Sequence, residues 1–90
     1  MNTSTEDKMN YVIYTRNDCS FCDKAKSLIK ERGDQYLEVS IYEEVGALQY
    51  LKDQGFTTVP QIWLDKKHIG GYNELLQHYE GVSGGHGDNF

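Results

Sequence analysis

The sequence predicts a small α/β domain in the order β-α-β-α-β-β-α, a four-stranded mixed sheet flanked by three helices. Three observations lead there. The chain has 90 residues, of which 38% are hydrophobic, enough for one domain that buries about 60–65% of its unfolded surface and too little for a second. Apolar residues switch along the chain between a spacing of two and a spacing near 3.6, the signatures of strand and helix. The first strand-helix-strand passage needs a crossover, which makes its two strands parallel, whereas the later short turn joins an antiparallel pair.

Strand one is the β-branched and aromatic run Tyr11-Val12-Ile13-Tyr14, a composition suited to a buried strand. Arg16-Asn17-Asp18 reads as a loop, with Asp18 as the expected N-cap of a helix whose Phe21, Ala25, Leu28 and Ile29 share a face and which stops at Gly33. Leu37, Val39 and Ile41 alternate with polar residues and predict strand two, one face buried. Glu43 to Gln54 returns to helical spacing through Val45, Leu48 and Leu51, with Gly46 as a weak point and Gly55 as the stop. Gln61-Ile62-Trp63-Leu64, a turn at Asp65-Lys66-Lys67 and His68-Ile69 predict a hairpin, and Asn73 is expected to cap a third helix through Tyr79. Residues 10–80 thus form the domain. Residues 1–9 are a polar lead expected to be flexible, and residues 81–90, with four glycines and no periodicity, an expected mobile tail.

Composition excludes several function classes. Nine Lys and Arg against 14 Asp and Glu give a net charge of −5, opposite to the balance with which proteins neutralise phosphates, so no nucleic-acid partner is expected. Eleven aromatic residues, seven of them Tyr, are too many for a disordered acidic chain. No apolar run approaches the roughly 20 residues of a membrane span, and Met1 to Asn10 lacks the apolar segment of a secretory signal. The expected location is therefore cytoplasmic, with no membrane partner.

The chemistry gathers at Cys19-Ser20-Phe21-Cys22. The two cysteines are the only ones in the chain, unlike the several pairs that staple small secreted domains. They stand where a strand gives way to a helix. There the free N–H groups and the positive end of the helix dipole stabilise a thiolate, which makes Cys19 the expected nucleophile and Cys22, one turn further in, the expected resolving thiol. Two other readings compete. Half of a zinc site is one, but no second C-x-x-C exists, and His68, His78 and His86 lack zinc-finger spacing. A pair of buried structural cysteines is the other, against which the polar residues around Cys19 argue for an accessible sulfur.

Tyr14-Thr15-Arg16-Asn17-Asp18-Cys19-Ser20-Phe21-Cys22, then Thr58-Val59-Pro60, then Gly70-Gly71-Tyr72-Asn73-Glu74-Leu75, three motifs in this order, resemble the glutaredoxin family of the thioredoxin-like fold. The resemblance covers about Tyr11 to Tyr79. It implies a glutathione-dependent thiol-disulfide oxidoreductase with Cys19 and Cys22 as catalytic residues, acting on protein disulfides and glutathione mixed disulfides. It further implies a cis peptide bond before Pro60 and a substrate groove of Arg16, Phe21, Thr58, Val59, Pro60, Gly71, Tyr72 and Asn73. In that groove Val59 pairs by its backbone with the cysteinyl part of glutathione, Arg16 meets the glycyl carboxylate, and the amides after the glycine pair receive the γ-glutamyl carboxylate. Glutathione is then a co-substrate and no cofactor is tightly bound.

Two residues depart from the family pattern. Ser20 replaces the proline of the usual Cys-Pro-Tyr-Cys, and small residues there are associated in the family with a glutathione-ligated [2Fe–2S] cluster, for which Cys19 would be the ligand. Asn73 replaces an acidic residue often seen after the glycine pair, a role for which Glu74 is the nearest substitute. A third reading is a redoxin fed by a thioredoxin reductase, donating to ribonucleotide reductase. A monomer is expected, except in the cluster reading, where the cluster sits between two subunits.

Overall fold

The computed structural model describes residues 10–80 and 88–89. The proposed flexible lead, 1–9, and most of the proposed tail lie outside them. Described in chain order are β1 (Asn10–Thr15), α1 (Ser20–Glu31), β2 (Gln35–Ser40), α2 (Ala47–Asp53), β3 (Thr58–Val59), β4 (Gln61–Leu64), β5 (Lys67–Gly70), α3 (Tyr72–Glu80) and β6 (Asp88–Asn89). The main sheet has the order β2-β1-β4-β5, with β1 parallel to β2 and the other neighbours antiparallel. This is the mixed sheet the sequence predicts.

The period-two pattern of β1 feeds two cores. Tyr11 and Ile13 point to one face and pack with Ala25, Leu28 and Ile29 of α1, Ile62 of β4 and Leu75 of α3. Tyr14 points to the other, against Cys19, Cys22, Ile41, Ala47, Leu51 and Val59. Helices α1 and α3 therefore cover one face and α2 the other. The far ends of α1 and α3 are tied as well: the Tyr79 hydroxyl donates to Asp34 at 2.6 Å, and Arg32 pairs with Glu80. The β4–β5 turn holds both Asp65 and Lys66 at positive φ, the backbone that two-residue hairpins need to follow the sheet twist.

Two expectations are corrected. Leu37 is 64% exposed rather than buried, because β2 is an edge strand whose partly buried residues are Tyr36, Val39 and Ser40. The second helix does not begin at Glu43: Gly46, at φ 86, is its N-cap, and Val45 is left 98% exposed in the preceding turn. A left-handed residue cannot continue a right-handed helix, so the weak point sets the boundary. Within the stretch read as a tail, residues 88–89 form β6, paired antiparallel with β3.

Candidate active site

The loop after β1 turns sharply into α1. Asp18 takes φ 56, and the cap is not Asp18 but Cys19, whose Sγ accepts the Cys22 N–H at 3.1 Å. Arg16 stays on this loop, donating to the carbonyls of Asn17 (2.8 Å) and Asp18 (3.2 Å). Cys19 and Cys22 are joined in a disulfide, with Cα atoms 5.2 Å apart. Of the two alternative readings of the pair, the zinc one finds no support among the described residues, where no group of three or more His, Cys, Asp or Glu is placed to hold a metal. The expected accessibility of Cys19 is corrected: it is only 2% exposed and Cys22 1%.

The second motif comes to the same place. The Val59–Pro60 bond is cis, and the Val59 carbonyl oxygen lies 3.9 Å from the Cys19 sulfur. The third motif closes the other side. A Cβ on Gly71 would stand 3.3 Å from the Pro60 carbonyl oxygen, so the start of α3 packs tightly against the cis-proline. The rings of Phe21 and Tyr72 face each other with centroids 6.0 Å apart, joining the start of α1 to the start of α3. Thus Cys19, Cys22, Phe21, Val59, Pro60, Gly71 and Tyr72 are brought together.

The start of α3 differs in detail. Tyr72 and Asn73 are both in the helix, so Asn73 is not its cap. Glu74 accepts the Gly71 N–H at 2.8 Å, the reciprocal half of a capping box, so this amide is already satisfied from within the chain. Gly70, at φ 128, would put a Cβ 2.6 Å from Glu74 Cγ. Backbone conformation and close approach therefore require the glycine at 70, while 71 is a tight fit.

Two residues behind the site gave no clear sequence signal. Gln61, 5% exposed, donates through Nε2 to the Thr58 carbonyl (3.0 Å) and hydroxyl (3.1 Å), and its Oε1 lies 2.8 Å from His68 Nε2. Since the Thr58 carbonyl can only accept, the Gln61 amide orientation is set and His68 must carry its proton on Nε2. His68 also stacks on Phe56 and leans on Trp63, centroids 4.5 and 4.7 Å away. Trp63 itself belongs to this aromatic wall with Tyr14 and Tyr50. Burial lowers the His68 pKa, a shift that the negative charge of Glu74 opposes.

A His whose folded pKa is depressed contributes stability that is complete above the unfolded value of about 6.5 and is lost as pH falls through the folded one. His68→Phe keeps the ring and removes the donor to a buried oxygen. We expect it to cost about 1–2 kcal/mol at neutral pH and to flatten the decline of the urea midpoint as pH falls below about 6.5. An unchanged midpoint and slope would show that the ring matters only as packing.

A reactive cysteine pair at a strand-to-helix junction, beside a cis-proline and on this sheet order, defines a thioredoxin-like thiol-disulfide site. Residues 11–69 match the glutaredoxin family model. Over 67 residues the chain is 39% identical to glutaredoxin 3 of Escherichia coli K12, covering 73% of this chain and 81% of that one. Among solved structures, the buckwheat glutaredoxin-glutathione complex superposes with a TM-score of 0.67 at 26% identity, covering 80-odd per cent (81%) of this chain and 71% of that one. The glutaredoxin-like NrdH-redoxin of Escherichia coli, whose activity profile is described as thioredoxin-like, gives 0.69 at 26% identity, with 80% and 95% covered. The chain belongs to the glutaredoxin family and is a thiol-disulfide oxidoreductase with a redox-active Cys19–Cys22 pair.

Proposed function

We propose that the protein reduces glutathione mixed disulfides and protein disulfides at the expense of glutathione, with Cys19 as nucleophile. The observation that carries this is the backbone of Val59 set 3.9 Å from the Cys19 sulfur, where an extended thiol-bearing chain can hydrogen-bond by its main chain while its sulfur meets Cys19. In the reduced enzyme the Cys22 N–H that points at Cys19 Sγ, and the helix terminus around it, favour the thiolate. That thiolate attacks the glutathione sulfur of a mixed disulfide, forming a Cys19–glutathione disulfide and expelling the protein thiolate. A second glutathione thiolate then attacks the bound glutathione sulfur, leaving oxidised glutathione and free Cys19. With a protein disulfide, Cys22 instead attacks Cys19, releases the reduced substrate and leaves the Cys19–Cys22 disulfide for two glutathiones to reduce.

The groove proposed around this step comprises Phe21, Thr58, Val59, Pro60, Gly71, Tyr72 and Asn73. Arg16 is held by two loop carbonyls, so we assign it first to bracing the loop and, through the charge it carries there, to attracting the glycyl carboxylate. On this reading the protein is a cytoplasmic monomer, with ribonucleotide reductase among its candidate protein substrates.

The test is NADPH consumption through glutathione reductase, with a small glutathione mixed disulfide as substrate. Rapid turnover is expected. No turnover from a protein whose dithiol still oxidises readily would overturn the glutathione reading in favour of a redoxin served by another reductase. Ser20, exposed at the first position of α1, favours the second reading, a [2Fe–2S] carrier. Here the chain supplies Cys19 and the remaining ligands come from glutathione and a second copy, so anaerobic reconstitution giving a coloured dimer would support it and a colourless monomer would exclude it.

A further inference from the structure

The edge that the proposed substrate needs is already paired. Strands β3 and β6 form a two-stranded sheet of their own, with Val59 opposite Asp88 and Thr58 opposite Asn89. Among the described residues β3 has no other strand partner. The same neighbourhood is closed to solvent: Val59 is 0% and Cys19 2% exposed. In an antiparallel pair, consecutive residues alternate between a pair that exchanges both N–H···O bonds and one that exchanges none. One of Val59 and Thr58 therefore turns its amide and carbonyl toward residues 88–89, and a strand edge accepts one partner at a time.

We propose that residues 88–89 are a built-in competitor for the substrate edge, a strand of the same chain that lies on Thr58–Val59 until an extended thiol-bearing chain displaces it. The inference rests on the glutathione reading for what does the displacing. Its strength is bounded on both sides. A two-residue pairing is marginal by itself, so substrate can displace it, yet it belongs to the same chain, so its return to the edge is intramolecular and independent of protein concentration. Substrate affinity falls by the fraction of molecules with the edge open. If about one molecule in ten is open, the apparent affinity is about tenfold weaker than that of the uncovered site. The chemical step follows displacement, so kcat is unaffected.

The experiment compares the reduced full-length chain with the double substitution Asp88→Pro/Asn89→Pro, which removes both strand amides and so breaks whichever pair is bonded, and with a chain ending at Gly87. Amide hydrogen exchange at Thr58 and Val59 reads occupancy of the edge, and KM and kcat for a glutathionylated peptide read its consequence. Support is faster exchange at one of the two amides and a KM lower by about five- to tenfold in both variants, with kcat unchanged. Equal exchange in all three proteins overturns the proposal. Turnover in all three with equal KM also overturns it, and leaves the glutathione reading standing. Turnover in none overturns the competition and the glutathione reading together, a result separable from the previous one by the lost activity itself.

Discussion

Cys19→Ser is expected to lower turnover of a glutathione mixed disulfide by about 10³ or more, whereas Cys22→Ser keeps it and loses only the reduction of protein disulfides. The asymmetry follows from where the two sulfurs sit. Cys19 is the N-cap, its sulfur facing the Cys22 N–H and the Val59 carbonyl. A serine hydroxyl there remains protonated at neutral pH and has no sulfur with which to form a mixed disulfide. Cys22 lies further along, at the third position of α1, where it meets Cys19. Removing it blocks intramolecular resolution and leaves the glutathione route open. The coupled NADPH assay measures both, and mass spectrometry of Cys22→Ser after incubation with oxidised glutathione should find one glutathione on Cys19. Full turnover by Cys19→Ser would remove it from the mechanism.

Ile62→Ala should destabilise the fold by about 3–4 kcal/mol, a large part of the 5–15 kcal/mol typical of a small domain. Ile62 is 0% exposed on β4, paired across the sheet with Ile13 and packed between α1 and α3. Truncation leaves a cavity at the sheet centre, where strands fixed on both sides cannot close in. The urea midpoint of the oxidised protein should fall at constant m-value. Val45→Ala is the control, since that side chain is 98% exposed, and should change stability by less than about 0.5 kcal/mol. Similar losses at both positions would contradict the core described above.

Where local chemistry decides, the sequence was legible. The apolar run of β1, the apolar face of α1 and the turn at Asp65-Lys66 all appear in the structure, as do the three motifs that meet around Cys19. Legibility failed where a partner distant in sequence decides. Leu37 alternates like a buried residue, but only tertiary packing reveals that β2 is an edge. Val45 fits a helical spacing that Gly46 interrupts. Gln61 and His68 are ordinary polar residues until the hairpin brings them together over Thr58. Residues 88–89 carry no periodic pattern, because two residues are too few to show one, and their strand character comes entirely from β3.

The disulfide bridges residues only three apart. Cross-links stabilise by restricting the unfolded chain, and so small a ring restricts little: under about 2 kcal/mol, against about 3 for a loop of fifteen residues. Gaining or losing two electrons therefore changes the stability of the domain by less than the loss of one core side chain such as Ile62, and the larger share of its heat tolerance is set by its two cores. The molecule can be charged and discharged repeatedly because what holds it together is mainly its cores and not the bond that the electrons open.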